Sequence, residues 1–113
     1  VTDCLFCRIV SGEVPAQFVY EDDAVVAFPD INPQAPVHVL VVPRRHVPDL
    51  TAAAEDPDLV ARVTAGAAKV AALQGIGDSG YRTVVNTGPD AQQSVQHLHV
   101  HVIGGRQMGW PPG

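Results

Sequence analysis

From His97 to Val102 the chain reads His-Leu-His-Val-His-Val, and this strict alternation constrains the fold more than any other feature. Side chains at i, i+2 and i+4 of a strand share a face. An extended run over Ser94–Ile103 therefore points Leu98, Val100 and Val102 into a core and sets His97, His99 and His101 on the opposite face. Ser, Thr, Lys or Glu would serve as well on a merely solvated face, so the imidazoles themselves are wanted. Their uses in a row are metal ligation and nucleophilic or acid–base chemistry. Same-face neighbours on a strand are about 6.6–6.8 Å apart, so three of them do not wrap a closed tetrahedral site unaided. A divided role is more economical: one outer histidine binds metal with residues from elsewhere and the others do chemistry.

The rest of the chain supplies the sheet this strand needs. Gln17–Asp22, Ala24–Phe28, Val37–Pro43 and Tyr81–Asn86 also read as strands, punctuated by Asp22-Asp23, Asn32-Pro33 and Gly88-Pro89. One long helix is expected between Pro57 and Gln74. Asp56 caps it, Pro57 suits its first turn, Gly75 stops it, and Leu59, Val63, Ala67, Val70 and Leu73 form its apolar stripe. A shorter helix covers Phe6–Ser11. The order α-β-β-β-α-β-β predicts an α+β fold, a five-stranded, mainly antiparallel sheet with one long and one short helix on one side.

With 113 residues the chain fits one domain, spanning 1–113, with room for a real core. Seven basic against twelve acidic residues leave a net charge of −5, so there is no broad basic face for a nucleic-acid backbone, and a small ligand is the better guess. No run approaches the roughly 20 apolar residues of a membrane span, and the polar start Val-Thr-Asp-Cys-Leu-Phe-Cys-Arg does not read as a signal peptide, which makes a cytoplasmic location the default expectation. Both cysteines lie in Cys4-Leu5-Phe6-Cys7, a spacing that suits a metal or a redox pair better than a disulfide framework. Neither of the two common Gly-rich phosphate loops is present.

The stretch His97–Val102 matches the H-x-H-x-H-x motif of the histidine triad superfamily, and Gln93–Gly113 resembles the C-terminus of its Hint branch. The likeness extends through Phe6–Ala16, Tyr20–His46 and Gly80–Asp90 in order and spacing. This resemblance implies an α+β protomer, a homodimer whose two sheets become continuous, and hydrolysis of purine nucleoside 5′-phosphoramidates. By position, His99 would be the nucleophile, forming a nucleotidyl-histidine that water then hydrolyses. His101 and His38 would flank the phosphate, and Ser94 would donate to the phosphate oxygens or the leaving group. Asp30 matches the ribose-binding position, with Phe6, Ile9, Phe28 and Ile31 as walls for the base. Asn86 resembles a phosphate-side amide, and Gln93 lies in the matching phosphate segment. One departure stands out: Ala91-Gln92 occupies the place where relatives commonly have Gly-Gly, which removes backbone freedom near the phosphate.

Cys4, Cys7, His46 and His97 have the composition of a closed Cys₂His₂ zinc site, and the superfamily places zinc on such a set in some members. The resemblance thus implies a structural zinc that pins the N-terminus to the catalytic strand. The tail Met108–Gly113, with the chain's one tryptophan, Trp110, is expected to reach the partner subunit's active site. Two other readings of the motif stand beside the phosphoramidase. One is a nucleotide-binding regulatory module with incidental hydrolysis. The other is a dinucleoside polyphosphate hydrolase of the Fhit type, whose third motif position is usually Gln where His101 stands here.

Overall fold

The computed structural model describes residues 3–113. Its elements run α1 (Leu5–Ser11), β1 (Tyr20–Glu21), β2 (Val25–Pro29), β3 (Val37–Pro43), α2 (Leu50–Ala53), α3 (Pro57–Leu73), β4 (Tyr81–Val84) and β5 (Val100–Gly104). The strands form one sheet in the order β1-β2-β3-β5-β4, and every neighbouring pair is antiparallel. The fold is α+β, as the element order predicts.

The helix α3 begins where expected: the Asp56 carboxylate accepts from the Leu59 N–H, Pro57 fills the first turn, and Gly75 terminates it at φ +75°. Leu59, Val63, Ala67 and Val70 face the sheet as the stripe requires, whereas Leu73 is 62% exposed. Gly66 and Ala71 take up the burial instead. A Cβ at Gly66 would stand 3.1 Å from Val25 and 3.3 Å from Val41, so the missing side chain is what lets α3 lie close on β2 and β3. Each large aliphatic side chain so buried contributes on the order of 1.5–3 kcal/mol.

The helices are not on one side of the sheet. Val25, Ala27, Val39, Val41, Val100 and Val102 join α3 in one core, while Val26, Phe28, Leu40 and Val42 join Phe6 and Ile9 of α1 in a second core on the opposite face. The near-continuous apolar runs of β2 and β3 carry the reason: a strand buried on both faces loses its polar alternation.

The other differences are at element ends. The strand expected from Ser94 begins only at Val100, and residues 94–99 cross the sheet's end as irregular chain, tied by the Leu98 N–H to the Val47 carbonyl at 2.8 Å. Strand β4 ends at Val84, which leaves Asn86 outside the sheet, and β1 is reduced to Tyr20–Glu21. The short α2, capped by the Asp49 carboxylate on the Ala52 N–H, is too brief to show a period in sequence. Among the described residues no helix is long and apolar enough to cross a membrane.

Candidate active site

Three neighbouring strands and one helix converge at the α1 face. Asp30 follows the end of β2 and His38 lies near the start of β3. His101 lies in β5 opposite Leu40; His99 precedes β5, and Phe6 and Ile9 reach across from α1. Phe6, Ile9, Asp30, His99 and His101, with Phe28, Ile31, Ser94 and Val95, line a largely apolar cavity of about 600 Å³, and His38 stands behind His101 without lining it. Ile31 is fully exposed at its lip. A large apolar side chain left open beside buried imidazoles is what a pocket for a flat, mostly apolar ligand group presents.

The hydrogen bonds fix which ring nitrogens carry protons. The His97 carbonyl only accepts, so His99 donates to it from Nδ1 at 2.8 Å, and the His99 Nε2 lone pair is left free. The Gln34 N–H donates to His38 Nδ1 at 3.0 Å, which puts the His38 proton on Nε2. That proton is donated to His101 Nδ1 at 2.8 Å, and His101 then carries its own on Nε2. This last nitrogen is buried without a hydrogen-bond partner among the described residues. A buried donor left unmade costs about 1–3 kcal/mol, so its natural partner is an acceptor oxygen that arrives with a ligand. Burial, followed by the neighbouring His99 and His38, pushes the His101 pKa down to about 4, with Asp30 opposing the shift. His101 is therefore a neutral donor at physiological pH.

Asp30 is held by its own loop: Oδ1 accepts from the Asn32 N–H at 2.8 Å, and Oδ2 lies 3.4 Å from His38 Nε2 and 4.0 Å from His101 Nδ1. Asp30, His38 and His101 bring their donor atoms within reach of one ion, but the proton pattern argues against a metal there. The Gln34 N–H occupies the His38 Nδ1 lone pair, which obliges Nε2 to keep its hydrogen.

The second cluster has the opposite pattern. His97 donates from Nε2 to the Pro43 carbonyl at 2.8 Å, freeing Nδ1. That nitrogen lies 3.4 Å from Cys4 Sγ, 3.6 Å from Cys7 Sγ and 3.2 Å from His46 Nδ1, while Cys7 Sγ and His46 Nδ1 are 3.4 Å apart. Tetrahedral zinc, with bonds of about 2.0–2.3 Å, spaces its ligand atoms about 3.3–3.8 Å apart. The four donors fit that geometry and that chemistry. Burial and Cys4 raise the Cys7 thiol pKa, and burial lowers that of His97; a cation would answer the first by stabilising the thiolate. Cys4 and His46 also border an open cleft of about 400 Å³, which gives an ion a way in.

The two clusters meet at Phe6, between the cysteines in sequence. Its ring stands edge-on to His97, with centroids 5.9 Å apart, and to His99, at 5.1 Å.

Three residues proposed from sequence lie elsewhere. Asn86 is half-buried beyond β4 and does not line the cavity. Gln93 spends its side chain on the backbone: Oε1 accepts from the Gly88 N–H, and Nε2 donates to the carbonyls of Pro48 and Val95. Its amide is thus a staple between loops, and Gln93 does not line the cavity. Trp110 is 83% exposed beside β4, its ring 6.0 Å from the Arg82 guanidinium, which also donates to the Gly109 carbonyl. It does not enter the histidine cavity of its own chain. Conversely, the Gln34 N–H and the Pro43 carbonyl set the proton positions, and Val14 and Leu40 line the cavity. Backbone groups and aliphatic walls carry no signal that sequence reading can find.

A family model described as the HIT domain matches residues 11–108. An uncharacterized HIT-like protein of Synechocystis is 50% identical over 112 residues, covering 98% of this chain and 97% of that protein. A 14 kDa zinc-binding protein of Brassica juncea is 50% identical over 114 residues, covering 98% of this chain and all of its own. Among solved structures, a HIT family hydrolase from Legionella pneumophila superposes with a TM-score of 0.94 at 45% identity, covering 98% of this chain and 100% of that one. A histidine triad nucleotide-binding protein from Candida albicans gives 0.84 at 29% identity, over 96% of this chain and 83% of that one.

Proposed function

The chain belongs to the HIT domain family, and from that premise we propose that it hydrolyses purine nucleoside 5′-phosphoramidates through a covalent intermediate on His99. The observation that carries the reading is the proton pattern at the cavity. His99 Nε2 presents a lone pair, held in place by its Nδ1–H on the His97 carbonyl, beside a buried His101 Nε2–H that has no acceptor among the described residues. A nucleophile next to an unsatisfied donor is what attack on a phosphoryl group requires.

In this reading the base occupies the apolar cavity between Phe6, Ile9, Phe28 and Ile31, and the ribose hydroxyls donate to Asp30. His99 Nε2 attacks the α-phosphorus. The new N–P bond forms as the P–N bond to the amine breaks, and the departing amine takes the electron pair of that bond and a proton from water at the cavity's open mouth. His101 donates to a phosphoryl oxygen without changing charge, and His38 fixes the ring that does so. Ser94, exposed at the cavity's mouth, serves the phosphate or leaving-group side. Water then cleaves the nucleotidyl-histidine to the nucleoside monophosphate.

Zinc, by the same proposal, is held by Cys4, Cys7, His46 and His97, and when bound it supplies a closed structural cross-link and no chemistry on the substrate. The protomer is proposed to dimerise through the open edge of β4, the last strand in the sheet order. The Candida relative's description as nucleotide-binding, the Legionella structure's as a hydrolase and the Brassica protein's as zinc-binding all support these readings.

The test is turnover of adenosine 5′-phosphoramidate beside a diadenosine polyphosphate, with rapid-quench mass spectrometry of the protein. Faster cleavage of the phosphoramidate, with an adenylyl adduct on His99 alone, is expected. An unreactive phosphoramidate, or equal turnover by His99→Ala, would overturn the assignment.

A further inference from the structure

We propose that the metal centre and the nucleotide cavity are coupled through Phe6 and His97, so that zinc and a nucleotide each raise the other's affinity. The inference rests on the reading above and extends it to how the site is assembled.

Helix α1 has seven residues, below the roughly 12–15 at which an isolated helix becomes even marginal in water. Its place is set by what it is attached to, and it is attached to both sites. Cys4 at its N-cap and Cys7 in its first turn are two of the four metal-type donors. Phe6 and Ile9, on the same helix, are walls of the cavity. The His46 and His97 Nδ1 atoms lie 3.2 Å apart beside two thiols, a spacing that suits ligands of one ion. A divalent ion held among the four would tie the start of α1 to His46 and His97.

Two connections carry this order to the nucleophile. The Phe6 ring packs edge-on against His97 and His99 at once. The His97 carbonyl accepts the His99 Nδ1–H, so the backbone of a metal-type ligand orients the ring that attacks. A nucleotide in the cavity presses on the same Phe6 and the same His99. Each ligand thereby orders a segment that the other would otherwise have to order for itself, and linkage makes the benefit equal in both directions.

The experiment measures zinc affinity of the full chain by competition with a chromophoric chelator, with and without saturating AMP. AMP affinity is measured by calorimetry on zinc-loaded and metal-free protein. Zinc affinity is expected to rise with AMP by a factor in the range of about 5–150, and AMP affinity to rise with zinc by the same factor. Phe6→Ala is expected to bind each ligand but lose most of the coupling. Phe6→Leu, which keeps apolar bulk and removes the ring edges, is the second variant should the first fail to fold. Equal zinc affinity with and without AMP overturns the coupling, and an undiminished factor in Phe6→Leu overturns the part given to Phe6. Zinc-loaded protein that does not bind AMP at all would instead bring down the nucleotide reading, and the coupling with it. Failure to bind zinc would bring down the coupling while AMP binding stands.

Discussion

His38 Nε2 and His101 Nδ1 lie 2.8 Å apart across adjacent strands, and the Gln34 N–H on the far side of the His38 ring decides the direction of the proton between them. In the proposed reaction His38 would therefore act on substrate through His101, whose Nε2–H is the end of the chain. Replacing His101 by Phe is expected to lower kcat by roughly 10²–10³, the usual loss for one donor to a developing oxyanion. His38→Phe should cost nearly as much, and the double variant little more than either alone, because both act through one donor. Additive losses in that cycle would show that His38 touches the reaction independently.

The same pair makes the fold acid-sensitive. His101 titrates at about 4 in the native state, chiefly through burial, against about 6.5 in an unfolded chain. Below pH 6.5 the unfolded state takes up a proton that the native state refuses, so this group's contribution to stability falls steadily as pH drops from about 6.5 to about 4 and is level outside that window. Between pH 7 and pH 4.5 the denaturant midpoint of the wild type is expected to fall further than that of His101→Phe, which lacks the titrating group. Parallel pH profiles would contradict the buried neutral state.

How much of this was legible beforehand follows the physics of each signal. The alternation of Leu98, Val100 and Val102 with three histidines separated two faces correctly even though residues 94–99 are not in the sheet, because alternating chain needs only to be extended. Capping at Asp56 and Gly75 located α3 because it rests on local backbone chemistry. The second core is hard to see in sequence because Ala24–Phe28 and Val37–Pro43 read as strands whatever lies on their far side, and only their near-continuous apolar character hints at two buried faces. The ring protons depend on the Gln34 N–H and on the carbonyls of Pro43 and His97. Backbone partners of this kind belong to no residue type, and only coordinates reveal them.

Gln92 has φ +61°, the sole positive value at a non-glycine residue among the described ones. It stands in the loop that the Gln93 staple holds against Gly88, Pro48 and Val95. A left-handed non-glycine residue costs about 1–2 kcal/mol, and glycine gives back about 0.5–1 through the freedom of its unfolded chain. Gln92→Gly is thus expected to stabilise the protein by about 0.5–1 kcal/mol, measured by urea unfolding, whereas Gln92→Val should destabilise it. A loss on going to glycine would mean that the Gln92 side chain makes up for its backbone.

Metal removal has its own signature. Binding to the native state alone adds directly to folding free energy, about 4 kcal/mol when zinc is at a thousand times its Kd. The double variant Cys4→Ser, Cys7→Ser should therefore melt well below the zinc-loaded wild type, by roughly 15–20 °C. A chelator should bring the wild type down to meet it, and added zinc should restore the wild type alone. Elemental analysis that finds no zinc in protein prepared without chelators would reject the site.

The tail supplies the last expectation. Trp110 is 83% exposed at the sheet's open edge, anchored by Arg82 through its ring and through the Gly109 carbonyl. An aromatic ring in that position is suited to an interface, and pairing of two β4 edges would carry each tail toward the other chain. Deleting Gly109–Gly113 is expected to leave the proposed dimer intact and to change the preference among leaving amines of the proposed substrates, read as kcat/KM ratios for compounds differing only in the amine. A mixed dimer decides which subunit the tail serves. One chain carries His99→Ala with its tail, and the other is catalytically intact but truncated, so all turnover occurs in the truncated chain. If the tail acts across the interface, the dead partner supplies it and the ratios match the wild type. Ratios matching the truncated homodimer would place the tail's action within its own chain.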